Sequence, residues 1–152
     1  QPYNFFFEKK FILVLSGVTD VGNIGAIVRS AYALGVDAIV ACGLKQLPLE
    51  TILRTSTGTL YDMPFAIQNN IHDVLNDFKM SDFTIYGADM NGMDVRETRI
   101  DRKKVLVLGS EGEGLTARVL SKLDCAVSIP MANEFDSLNV SVAAGILMDR
   151  MR

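Results

Sequence analysis

Short apolar runs alternate along this chain with stretches whose apolar residues recur at helical spacing, and this alternation restricts the fold more than any other feature. Phe11, Ile12, Leu13, Val14 and Leu15 form a continuous run of strand length. Ile24, Ile27, Val28 and Ala31 then fall at i, i+3, i+4 and i+7, one face of a helix, and Gly35 supplies the expected glycine stop. The pattern returns further on. Residues 38–42, 83–87, 105–108 and 126–129 read as strands. Residues 49–53 read as the start of a helix that fails near Gly58. Ile71, Val74, Leu75 and Phe78 mark another helical face, residues 115–123 a short helix and residues 139–151 a closing helix. This order predicts an α/β domain with a mostly parallel sheet flanked by helices, because parallel neighbours need a crossover between them. Residues 88–104 are polar, with Asn91-Gly92 as a turn signal, and read as a surface excursion.

Composition narrows the function. The 152 residues, 49% hydrophobic and 22% charged, fit one globular domain and exclude a disordered or low-complexity chain. A net charge of −3 argues against holding nucleic acid by bulk positive charge. It leaves room for a local phosphate contact, or for a groove built from Lys9, Lys10 and similar residues of two protomers. Cys42 and Cys125 lack CxxC partners, and His72 is the only histidine, so neither a disulfide framework nor a zinc site is expected. The two cysteines read as small apolar residues in a reducing compartment, and a cytoplasmic location is expected. No apolar run approaches the length of a membrane span. The chain begins at Gln1 with no visible signal peptide, so an upstream segment is expected.

Three loops are unusual, and each lies where open α/β sheets bind ligands, beyond the carboxyl end of a strand. The first, residues 17–25, leads into the helix carrying Arg29, with Asn23 as a candidate helix cap. Arg29 falls off that helix's apolar face, as a solvated arginine also would. The second is Gly109-Ser110-Glu111-Gly112-Glu113-Gly114. Its glycines permit positive φ or close approach of a ligand, but its spacing is not the dinucleotide G-x-G-x-x-G, and two carboxylates disfavour a phosphate cradle. The third is Ile129-Pro130-Met131 followed by Ser137-Leu138-Asn139-Val140-Ser141. Pro130 stops a strand, and Ser137 or Asn139 is suited to cap the closing helix. That helix carries a small-residue surface at Ala143-Ala144-Gly145.

Together the loops resemble the SpoU (TrmH-like) group of the SPOUT RNA 2′-O-ribose methyltransferases. Asn23-Ile24-Gly25-Ala26-Ile27-Val28-Arg29 matches that group's first motif, Val107-Leu108-Gly109-Ser110-Glu111-Gly112 its second, and the third loop its third. Ser56-Thr57-Gly58 resembles a further family segment. The nearest look is to the bacterial 23S rRNA guanosine methyltransferases. The resemblance implies a C-terminal deep trefoil knot (the SPOUT fold), which general topology rules would exclude. It also implies a homodimer, S-adenosylmethionine as methyl donor, and an rRNA or tRNA substrate, with no metal and no membrane. The whole chain then reads as a catalytic domain whose N-terminal RNA-binding domain lies elsewhere. Position by position, the resemblance implies Leu108, Gly109, Ile129 and Leu138 as cofactor contacts. It implies Arg29, Asn23, Glu111, Ser137 and Asn139 as the catalytic set.

Two other readings compete. One is a non-catalytic RNA-binding or assembly module on the same fold, against which the intact Asn23, Arg29, Glu111 and Asn139 stand. The other is a dinucleotide-dependent oxidoreductase, against which the missing glycine fingerprint stands.

Overall fold

The computed structural model describes residues 2–43, 62–110, 112–133 and 138–152. The expected helix at 49–53, Ser56-Thr57-Gly58, Glu111 and Ser137 lie outside them. A 3-10 helix, Pro2–Glu8, precedes β1 (Phe11–Ser16), α1 (Val21–Ala33), β2 (Ala38–Cys42) and β3 (Phe65–Gln68). Then come α2 (Ile71–Met80), β4 (Thr84–Asp94), β5 (Lys104–Gly109), α3 (Ala117–Leu120), β6 (Cys125–Ser128) and α4 (Val140–Met151). The six strands described form one sheet in the order β3-β2-β1-β5-β4-β6, and every adjacent pair is parallel. All strands therefore present their carboxyl ends at the same edge. A knot is implied for the C-terminal segment, in which residues 134–137 lie outside those described.

The run at 11–15 is apolar throughout because β1 is covered on both faces. Phe11, Leu13 and Leu15 point to one side, packing with Ile24, Ile27 and Val28 of α1 and with Leu147, Met148 and Met151 of α4. Ile12 and Val14 point to the other, with Val74, Leu75 and Phe78 of α2 and Val119 of α3. The helices thus lie as α1 and α4 on one face, α2 and α3 on the other.

Three local expectations are corrected. Helix α1 starts at Val21, and its cap is Asp20 rather than Asn23: the Asp20 Oδ1 accepts the Asn23 backbone N–H at 2.8 Å. A carboxylate at the helix start also faces the positive end of the helix dipole. Asp20→Ala is expected to cost about 1 kcal/mol and lower the melting temperature by about 3 °C, read by calorimetry.

Residues 88–104 are only in part a surface excursion: 89–92 leave the β4–β6 ladder, Ala88 and Met93 both facing Val127, with Met90 71% exposed. After an irregularity between Ala88 and Met93, β4 continues alongside β6, with Met93 opposite Val127 and Asp94 opposite Ser128. Gly92 serves close backbone approach: a Cβ there would lie 2.6 Å from the Ala126 carbonyl carbon. The Ser128 hydroxyl fastens the same place by donating to the Gly92 carbonyl at 2.9 Å.

Helix α3 is only a turn long, capped by Thr116, whose Oγ1 accepts the Val119 N–H at 3.2 Å. Its flanking leucines are used otherwise. Leu115 and Leu123 fill the space over Gly87, where a Cβ would meet Leu123 Cδ1 at 2.5 Å and Leu115 Cδ1 at 3.0 Å.

Cys42 is buried at 2% exposure, and burial pushes its thiol up to about 12, so it stays protonated. Cys125 is half-buried. Among the described residues no helix is long and apolar enough to cross a membrane, and no group of His, Cys, Asp and Glu could hold a metal ion.

Candidate active site

A cleft of about 660 Å³ opens at the carboxyl ends of β5 and β6, beside Ala88, Asp89 and Met90 in the middle of β4. Leu108 and Gly109 reach it from the end of β5, Ile129 from just past β6, and Leu138 from the approach to α4. Val140, Ala143 and Leu147 of α4 form an apolar wall. The cleft exists because the loop after β5 folds back on the strand that produced it. The Gly114 N–H donates to the Ser110 carbonyl at 2.9 Å, and Gly112 and Gly114 take φ of +83° and +66°. A Cβ on Gly109 would sit 2.5 Å from the Gly114 carbonyl carbon, so only glycine fits the strand end.

Asp89 and Glu113 bring carboxylates to the lining, and no Lys, Arg or His lines it among the described residues. The electrostatics therefore favour a cationic ligand and disfavour a phosphate-rich one. Sequence reasoning did not single out Asp89, because residues 88–104 read as an excursion. The available signal was its place just after a predicted strand, at the edge where such sheets bind ligands. Glu113 was visible as one of two carboxylates in the glycine loop.

The expected catalytic residues are placed differently. Arg29 is exposed and lines a separate, shallow depression of about 340 Å³ with Ala26, Ser30 and Ala33, all on α1. It makes no ion pair among the described residues, and no residue of α1 lines the larger cleft. Asn23 is half-buried in the first turn of α1. Asn139 caps α4: its Oδ1 accepts the Ser141 backbone N–H at 2.8 Å and the Ser141 hydroxyl at 2.6 Å. This explains Asn139 and Ser141 together, and it fixes the segment that delivers the adjacent Leu138 to the cleft. Helices α1 and α4 pack closely, Gly145 lying against Ser30, where a Cβ would be 4.0 Å from its Oγ. Beside that seam Tyr32, Val142 and Ile146 are 53%, 51% and 37% exposed.

An open parallel sheet with a glycine-built cleft at its carboxyl edge defines an α/β domain whose cleft lies where such sheets bind ligands. The family follows from comparison: the chain belongs to the SpoU rRNA Methylase family, whose model matches residues 10–149. It is 36% identical over 143 residues to an "Uncharacterized tRNA/rRNA methyltransferase" of Borreliella burgdorferi, covering 93% of this chain and 63% of that protein. Among solved structures it resembles the SpoU methyltransferase AviRb from Streptomyces viridochromogenes in complex with AdoMet, at TM-score 0.86 and 28% identity over 93% of this chain and 56% of that one. It also resembles an RNA 2′-O ribose methyltransferase, at TM-score 0.85 and 31% identity over 93% of this chain and 55% of that one. The chain thus spans roughly three-fifths of the length of these relatives.

Proposed function

We propose that this chain transfers a methyl group from S-adenosylmethionine to a ribose 2′-hydroxyl of rRNA or tRNA, guanosine favoured, as a cytoplasmic homodimer. The observation that carries this reading is the convergence of Leu108, Gly109, Ile129 and Leu138 on one cleft. The residues present fit the donor. The volume of about 660 Å³ lies within the range of roughly 300–1,000 Å³ usual for small-molecule sites. Apolar walls suit an adenine ring, and Asp89 and Glu113 suit a ligand carrying a sulfonium and an ammonium. Bound there, the donor supplies a methyl group already activated for transfer.

The chain's own task is to position the ribose and ease loss of its proton. Arg29 is read as the residue that holds a neighbouring phosphate and stabilises the developing alkoxide by charge. Guanidinium normally stays protonated, so its electrostatic role comes first, with proton removal by Arg29 itself or by a water. Asn23 and Glu111 are assigned to orienting Arg29 and the RNA, Ser137 and Asn139 to shaping the cofactor and ribose pockets. The knot expected of the C-terminal segment belongs to the same reading.

Dimerisation is supported by the uncovered Tyr32, Val142 and Ile146 on the α1–α4 face, which also carries Arg29. Because Arg29 and the cleft are separate in one chain, the complete site is read as composite, arginine from one protomer facing the cleft of its partner. The first test is calorimetric titration of the folded protein with S-adenosylmethionine. Saturable binding at one site per chain is expected, and absence of binding would overturn the proposal.

A further inference from the structure

The cleft edge of the sheet is acidic, yet the substrate class proposed above is a polyanion. The opposite edge, at the amino ends of the strands, is where cations gather. Lys9 and Lys10 precede β1, and Arg102 and Lys103 precede β5, which opens with Lys104. The parallel register holds these two segments together: Phe11 pairs with Lys104, and the Lys104 N–H donates to the Lys10 carbonyl at 2.8 Å.

Aromatic rings back the cations. The Lys9 Nζ lies 4.3 Å from the Phe5 ring centroid, Lys103 Nζ 4.5 Å from Phe83 and Lys104 Nζ 4.9 Å from Phe11. Lys103 is a structural clamp, donating to the Ser81 carbonyl at 2.7 Å. Lys10 and Arg102 are exposed, and Phe5 is 46% exposed.

Of the carboxylates Asp37, Asp101, Glu8 and Asp82, two are engaged. Asp37 accepts the backbone N–H groups of Lys10 and Phe11 at 3.1 and 3.0 Å. Asp101 accepts the Thr84 hydroxyl at 2.6 Å and stands 3.7 Å from Arg99, while Glu8 and Asp82 face solvent.

We propose that this edge, formed by Phe5, Lys9, Lys10, Arg102 and Lys104, is a second RNA contact, holding single-stranded phosphates on its cations and a base on Phe5. Positive charge interleaved with aromatic rings is the chemistry that grips a single strand without reading its sequence. The edge lies roughly 17 Å from the cleft along β5, so one RNA strand of modest length reaches both. The inference rests on the RNA-methyltransferase reading for its ligand, but its test is separate.

The experiment titrates the full chain into a fluorescein-labelled 20-nucleotide single-stranded RNA across a salt series. It compares wild type with the triple variant Lys9→Glu, Lys10→Glu, Arg102→Glu. The variant is expected to bind about tenfold more weakly or worse, with the log–log salt slope smaller by about 2, since each phosphate that is no longer neutralised takes somewhat less than one from the slope. Unchanged melting and unchanged S-adenosylmethionine affinity establish that the variant is folded.

A second triple variant, Lys79→Glu, Arg118→Glu, Lys122→Glu, carries the same net charge on the α2–α3 face and is expected to bind RNA more tightly than the first. Equal weakening in the two variants would assign the effect to bulk charge and overturn the proposal. So would an unaltered slope in the first variant, or a wild-type chain that does not bind the RNA. If the chain binds RNA through this edge but takes up no S-adenosylmethionine, the methyl-transfer reading fails and this contact stands.

Discussion

Replacing Arg29 with alanine is expected to slow methyl transfer by about 10²–10³-fold while S-adenosylmethionine binds as before, the loss typical of removing a group aimed at developing charge. The two halves of this expectation come from different observations. Binding is spared because Arg29 does not line the cleft that gathers Leu108, Gly109, Ile129 and Leu138. Stability is spared because the side chain is exposed and has no ion-pair partner among the described residues. The rate alone has reason to fall. Arg29→Lys keeps the charge but loses the planar fork that grips a phosphate with two parallel hydrogen bonds, so an intermediate loss of about tenfold is expected. The measurements are single-turnover methyl incorporation into RNA and calorimetric titration of the donor. An Arg29→Ala protein that methylates at the wild-type rate would remove Arg29 from the chemistry. One that loses donor binding would place it in the cleft instead.

Five of the six strands and the major helices were legible because burial on two faces leaves a direct record in sequence; β3, a half-exposed edge strand, carries no such run and was missed. The run at 11–15 is apolar at every position because helices cover both sides of β1, and the periodicity of Val74, Leu75 and Phe78 marks the one buried face of α2. What was misread depended on contacts between segments far apart in the chain. Gly92 looked like half of a turn, but it is a glycine because the Ala126 backbone, distant in sequence, presses against it. Leu115 and Leu123 continued a helical pattern, yet their side chains fill the gap over Gly87. The cap of α1 is Asp20 rather than the expected Asn23 because the helix begins at Val21 and the Asp20 carboxylate reaches the Asn23 backbone N–H, a contact that sequence alone does not specify.

The cleft residues were legible through family resemblance, not periodicity, and the fold then brings Leu108, Gly109, Ile129 and Leu138 onto one lining. Asp89 needed the structure, since only the register of β4 against β6 brings the segment after Gly87 to the cleft.

The separation of Arg29 from the cleft leads to a second large effect, which is a gain of activity. Arg29→Ala and Leu138→Trp are each expected to be inactive as homodimers, the first lacking the arginine and the second having its cleft filled. Mixed and allowed to exchange subunits, the two dead proteins are expected to recover activity approaching about a quarter of wild type. Half the dimers in an equal mixture are heterodimers. In a two-fold dimer with composite sites, each heterodimer gathers both lesions into one site and leaves the other intact, with Arg29 from the Leu138→Trp subunit facing the open cleft of the Arg29→Ala subunit. If each chain completed its own site, every site in the mixture would carry a lesion and no activity would return. Rate measured against mixing ratio, with subunit exchange followed by mass spectrometry, distinguishes these cases. An exchanged but inactive mixture would confine the site to one chain and require α1 to move toward the cleft for Arg29 to act. The uncovered Tyr32, Val142 and Ile146 point the other way: they lie beside the seam of α1 and α4, on the helices that carry Arg29 and the cleft's apolar wall, where a second copy would bury them and close the site in one contact.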